Sequence, residues 1–138
     1  MDKRKYTYIA LPVFIALVIL YLCCFLPPSD IPEVDSPFPF PFDKIVHFLM
    51  YVGFAGASFF AYVHLIIKEK RFNYFSAIVW CFLVPVVFGG LIEIIQYNYC
   101  PGRSGDWLDL LADTIGVLFV IPFAVFYKRF MEKRNGSR

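Results

Sequence analysis

The chain has 138 residues, 59% of them apolar and 20% aromatic, with a formal net charge of +2. That length suits one domain, and that apolar share exceeds the usual share of a soluble domain, so lipid is the expected solvent for much of it. Nucleic-acid binding finds no support, because membrane topology accounts for the basic tail "KRFMEKRNGSR".

Four stretches reach the ~20 apolar residues that a bilayer span requires. The first is expected over 7–26. Its start is basic, but "CCFLP" stands where a small-x-small cleavage site would follow, so it reads as a retained span. Beyond Tyr21 and its cysteines this span has no interior polar group, and a packing or anchoring role is expected for it. The proline-rich loop "PPSDIPEVDSPFPFPF" then forbids a long helix. Phe38, Phe40 and Phe42 alternate there with prolines, which suits an interfacial anchor or a flap.

The second span is expected over 45–67. Asp43, His47 and Tyr51 recur at i, i+4 and i+8 on one stripe. His64, near the far end, reads as an isolated snorkelling or capping residue. "KEKR" separates this span from the third, expected over 75–97, which carries Glu93 and Gln96 at i, i+3. The fourth is expected over 107–127, with Asp106, Asp109 and Asp113 at i, i+3 and i+7. Pro85 and Pro122 are expected to bend their helices. Gly53, Gly56, Ala57, Gly89, Gly90 and Gly116 are expected to let helices approach closely. The four cysteines lack metal-site spacing; Cys23, Cys24 and Cys81 read as apolar filler, and Cys100 falls in a loop.

Of 13 Lys and Arg residues, all but Lys44 and Arg103 lie at the amino terminus, in the 68–71 loop or in the carboxyl tail. The positive-inside rule therefore predicts both termini in the cytoplasm and the loops at 27–42 and 98–105 outside. At a rise of ~1.5 Å per residue, His47 and Glu93 fall roughly 6 Å below the outer helix ends. Asp109 falls roughly 5 Å down and Asp113 roughly 10 Å, while Gln96 stays close to the surface. Three helices thus deliver polar groups to one shallow layer. Its acids outnumber Lys44 and Arg103, so some must be protonated, bind a cation or face water. Asp113, the deepest, is where a shifted pKa or a bound cation is expected.

"FDKIVHFLMY" followed by "LIEIIQYNYCPGRSGDWLDLLADTIGVLFV" resembles the VanZ-like membrane protein family over roughly residues 42–120. The matching positions are Asp43, Lys44 and His47, then Glu93 and Gln96, then Pro101, Gly102 and Arg103, and finally Asp106, Asp109 and Gly116. Family members commonly carry Asn where this chain has Asp113. The four spans imply an all-α, polytopic four-helix bundle, a single domain over 1–138, and the resemblance implies a protein of the bacterial inner membrane. It also implies action on or near envelope components, since the name-giving member is associated with low-level resistance to the glycopeptide teicoplanin.

Three functions compete on these residues. In the first, Lys44 and Arg103 hold an anionic envelope or lipid-linked ligand, while Asp43, His47, Tyr51, Glu93, Gln96, Asp106, Asp109 and Asp113 complete the site. In the second, the protein is a membrane hydrolase or transferase in which His47, Asp109 or Glu93 acts as base or holds a divalent cation. No Ser-His nucleophile stands out, although Ser104 adjoins Arg103. The third is a structural or transport-assisting subunit, in which a homodimer would enlarge the path.

Overall fold

A computed structural model describes residues 3–27, 29, 39, 41–66, 72–103 and 105–136 of the chain, with side chains at 3–5, 66, 135 and 136 excepted. The aromatic flap or anchor expected at Phe38 and Phe40, the basic loop at Lys68, Lys70 and Arg71, and Ser104 lie outside the described residues.

Every described element is helical. Helix α1 (Lys3–Leu20) runs into a π-helical turn (Tyr21–Phe25). Helix α2 spans Phe42–Ile66. The short α3 (Tyr74–Ile78) continues through a second π-helical turn (Val79–Leu83) into α4 (Val84–Tyr99). Helix α5 (Trp107–Phe119) is followed by α6 (Ile121–Gly136). These segments give four helices long and apolar enough to cross a bilayer, at Tyr6–Phe25, Phe42–Leu65, Tyr74–Tyr99 and Trp107–Arg134. That fits a multi-pass membrane protein.

Two boundaries differ from the expected ones by three residues or more, each for a local reason. The second span starts at Phe42 rather than 45. Lys44 N–H donates to Pro41 O at 3.1 Å, so Asp43 and Lys44 form the first helical turn. An acid there also complements the positive end of the helix dipole. The fourth span runs past 127, because the tail stays helical, with Lys128 and Glu132 paired at 2.9 Å across i, i+4.

The two prolines expected to bend their helices both stand at the start of a helical segment. Pro85 has no N–H to donate, and the wider π turn stands directly before it. Pro122 is the second residue of α6, where the missing N–H is harmless, and the chain turns at Val120 between α5 and α6.

Helix α2 sits at the centre, packed on α5 and on α1. The buried core includes Ile19, Tyr51, Ala55, Val63, Cys81, Ile92 and Val117. Outside it, Phe14, Phe25, Trp80, Leu91, Ile94 and Phe126 are exposed, as lipid-facing side chains are. Tyr97, Tyr99 and Trp107 are exposed at one end of the bundle and Tyr74 and Phe75 at the other, which matches paired interfacial aromatic belts.

The glycines divide in a way that spacing alone did not reveal. At Gly116, an added Cβ would stand 2.5 Å from Phe48 O and 3.3 Å from Val52 N, so α5 touches the backbone of α2. By contrast, nothing lies within 4 Å of such a Cβ at Gly53 or Gly56, and at Gly90 the nearest atom is 4.0 Å away. These three are not points of close approach among the described residues. His64 is not isolated either. It stacks on Tyr8 at 4.8 Å, lies 4.1 Å from the Phe60 ring, and its Nδ1 hydrogen-bonds Phe60 O at 2.9 Å. It pins α1 to α2 at the end opposite the acidic layer.

Gly116→Ala is expected to lower stability by about 1–3 kcal/mol, the cost of overpacking against backbone that cannot retreat. Thermal unfolding in detergent measures this directly, and Gly53→Ala, which meets no neighbour, should leave the midpoint unlowered.

Candidate functional site

The polar residues of three helices meet at the end of the bundle where α2 and α5 begin and α4 ends. Their uppermost link is Lys44. Its ammonium donates to Asp106 Oδ2 at 2.6 Å and to Asp109 Oδ1, and lies 3.6 Å from Asp43. This one cation therefore joins the first turns of α2 and α5. The Asp109 side chain is 8% exposed and Asp43 is open to solvent, so the ion pair grades from interior to surface.

Asp106 has three separate partners. Oδ1 accepts from Leu108 N–H at 2.9 Å and caps α5, while Oδ2 accepts from Lys44. Its own N–H donates to Glu93 Oε2 at 2.7 Å, which ties α4 to the start of α5. The bonded Lys44 ammonium, with help from Leu108 N–H, holds the Asp106 carboxyl below the usual aspartate range. Gly105 makes this approach possible: a Cβ there would stand 2.6 Å from Glu93 O.

Arg103 does not point freely outward. The Cys100–Arg103 turn, closed by Arg103 N–H to Cys100 O at 3.1 Å with Gly102 at φ 80°, directs its side chain back over the bundle. There Nη2 donates to Leu22 O at 3.0 Å and Leu26 O at 3.1 Å. Gln96 is buried rather than near the surface, and its Nε2 donates to Cys23 O at 2.8 Å. The first span thus does more than pack or anchor. Its last carbonyls, which a helix end leaves without intrahelical donors, become acceptors for Arg103 and Gln96. The sequence signal for this was the Pro27-Pro28 stop, which fixes where those carbonyls must emerge.

Deepest are His47, Tyr51 and Asp113. His47 Nδ1 lies 3.0 Å from Asp113 Oδ1, and both side chains are buried. Gly89 of α4 faces them, since a Cβ there would meet Asp113 Oδ2 at 2.8 Å and Tyr51 Oη at 3.2 Å. The ten residues expected to form a site therefore converge: Asp43, Lys44, Asp106 and Asp109 above, and His47, Tyr51, Glu93 and Asp113 below. Gln96 and Arg103 adjoin them but are directed at α1. Gly89, expected to let a helix approach, instead makes room for the side chains of Asp113 and Tyr51.

Two cavities open at this end. One, of about 220 Å³, is lined by Asp43, Lys44, His47, Gln96, Gly102, Arg103, Asp106 and Asp109. The other, of about 350 Å³, is a groove between α4 and α5 beside Ile94, Tyr97 and Trp107 that reaches Glu93 and Asp106. Asp106 borders both. Neither a protein-family model, a curated relative nor a solved structure matches the chain.

Lys44→Met is expected to cost about 2 kcal/mol, between the values for an exposed and a buried ion pair, because it strands Asp109. Chemical unfolding of the purified protein measures this. The double variant Lys44→Met/Asp109→Asn should recover part of the loss; a strictly additive double variant would mean that the pair is not coupled.

Proposed function

We propose that this chain is a VanZ-like integral membrane protein of the bacterial inner membrane, with both termini in the cytoplasm, whose outward-facing polar pocket binds the headgroup of an anionic envelope or lipid-linked ligand. The observation that carries this reading is the junction of two unlike cavities at Asp106. One is walled by charged and amide side chains. The other is a mainly apolar groove whose Ile94, Tyr97 and Trp107 are exposed on the lipid side. An amphiphile fits such a junction, headgroup in the pocket and chain along the groove.

Lys44 and Arg103 both line the polar cavity, so a phosphate or carboxylate meets two cations there. Arg103 has hydrogen-bonding capacity left, since its buried Nε has no partner among the described residues. Asp43, Asp109 and Gln96 would take hydroxyls or amines of the same headgroup. The orientation rests on charge in the sequence: 11 of the 13 basic residues fall in the amino terminus, the 68–71 loop and the tail, and only Lys44 and Arg103 in the segments that carry the pocket.

Two experiments test the two halves of this reading. With Cys23, Cys24 and Cys81 replaced by alanine, Cys100 should react with an impermeant thiol reagent in whole cells. Reaction only after the cytoplasm is opened would reverse the orientation. Lipid-resolved mass spectrometry of the purified protein should find an anionic lipid retained by the wild type. Arg103→Gln should weaken its retention at least about tenfold, the loss of one charge-assisted bond, and Asp43→Asn should strengthen it by removing a like charge. Unchanged lipid in both folded variants would remove the ligand assignment.

A further inference from the structure

Beneath the polar pocket, three buried atoms have no hydrogen-bond partners among the described residues: Tyr51 Oη, Glu93 Oε1 and Asp113 Oδ2, of which the first and last both face Gly89. Their residues are 0%, 6% and 0% exposed. Such groups rarely stay unpartnered, because a buried polar atom without a partner has lost its water and gained nothing in return. They come from three helices: Tyr51 from α2, Glu93 from α4 and Asp113 from α5. A ring nitrogen of His47 and one oxygen each of Glu93 and Asp113 all lie within 4.8 Å of one another.

We propose that His47, Glu93 and Asp113 form a buried site for one divalent transition-metal ion, with the Tyr51 phenol beside it. Three observations converge on this. The first is the donor set, one imidazole and two carboxylates, from which small rotations reach the ~2.0–2.2 Å of metal–nitrogen and metal–oxygen bonds. The second is the room. Gly89 lies one helical turn before Glu93 on the same face, and any side chain there would run into Asp113 Oδ2 and Tyr51 Oη.

The third is charge. At this end the carboxylates of Asp43, Asp106 and Asp109 already gather around Lys44, and Arg103 is directed at carbonyls of α1. Glu93 and Asp113 are left without a permanent cation among the described residues. Two carboxylates, a neutral imidazole and a dication sum to zero, the state that low-polarity surroundings favour.

The donor set also selects the ion. Calcium takes six to eight oxygens and magnesium keeps most of its waters, whereas mixed nitrogen and oxygen donors suit Zn2+ or Mn2+. A neighbouring alternative, Asp43, His47 and Asp109, is also compact enough. There, however, Asp109 is already bonded to the Lys44 ammonium, which would oppose a second cation. The proposal does not depend on what the pocket above binds.

The test uses the full chain purified in detergent, stripped with a chelator, loaded with Zn2+ or Mn2+ and desalted. Elemental analysis should find about one ion per chain. Asp113→Asn and Glu93→Gln should each lower retention at least about tenfold, as loss of a ligand requires. The Mn2+-loaded wild type should also show nitrogen hyperfine coupling from one imidazole in its electron–nuclear double-resonance spectrum, a readout that needs no variant to fold. No retained ion in the wild type, equal retention by the folded variants, or bound Mn2+ without that coupling would each overturn the site.

Discussion

Lys44 lies among Asp43, Asp106 and Asp109, and the open end of the bundle is organised around it. Helices α2 and α5 are the most extensively packed pair, and Gly116 brings their backbones together lower down. Close packing forces the two amino-terminal turns side by side, each with acids suited to its own helix dipole. Without a cation between them, those acids would repel in the place where the helices must meet. Lys44 converts that repulsion into the link between helices. Asp106 extends the same link to α4 through its N–H on Glu93, so three helix ends share one hydrogen-bonded chain.

That arrangement also explains why Arg103 has a different task. With Lys44 occupied by carboxylates, the second cation of the layer reaches the carbonyls that end α1. A helix end turned toward protein must have its carbonyls satisfied, and the π turn at Tyr21–Phe25 brings Leu22 and Cys23 into position for Arg103 and Gln96. The first span contributes backbone to the layer where the other three contribute side chains. Loop, arginine and span one thus form a roof over the acids, and the cavity opens beside it.

Much of this was legible in the residues, and the rest failed for identifiable reasons. Four apolar stretches and the i, i+3, i+4 spacing of Asp43, His47, Asp106, Asp109 and Asp113 carry the helix count and the convergence of acids, because length and periodicity are local properties. The target of Arg103 is not local. Backbone carbonyls have no residue code, so nothing in Leu22 or Leu26 announces an acceptor. His64 was obscured in the same way: its stacking partner Tyr8 lies on another helix, 56 positions away in "KRKYTYIA". Gly53 and Gly116 look alike in a sequence, and only the rotation of α2 against α5 decides which of them faces a backbone. Most of the residues that carry the resemblance lie together at one end of the bundle, but the resemblance says nothing about which of their cations would be free.

The two levels of the layer are also electrostatically joined. His47 lines the upper cavity and pairs with Asp113 below it, so it stands between the place where an anionic headgroup would sit and the place where a cation would. An anion above and a dication below attract each other through surroundings of low polarity, where charges interact more strongly than in water. Linkage makes that attraction reciprocal: whatever the ion adds to headgroup affinity, the headgroup must add to ion affinity. An anion drawn to Lys44 would compete with Asp109 for it. Acid-rich composition, which looks like a cost for a membrane helix, would then be the means by which a small bundle couples a headgroup at its surface to an ion inside.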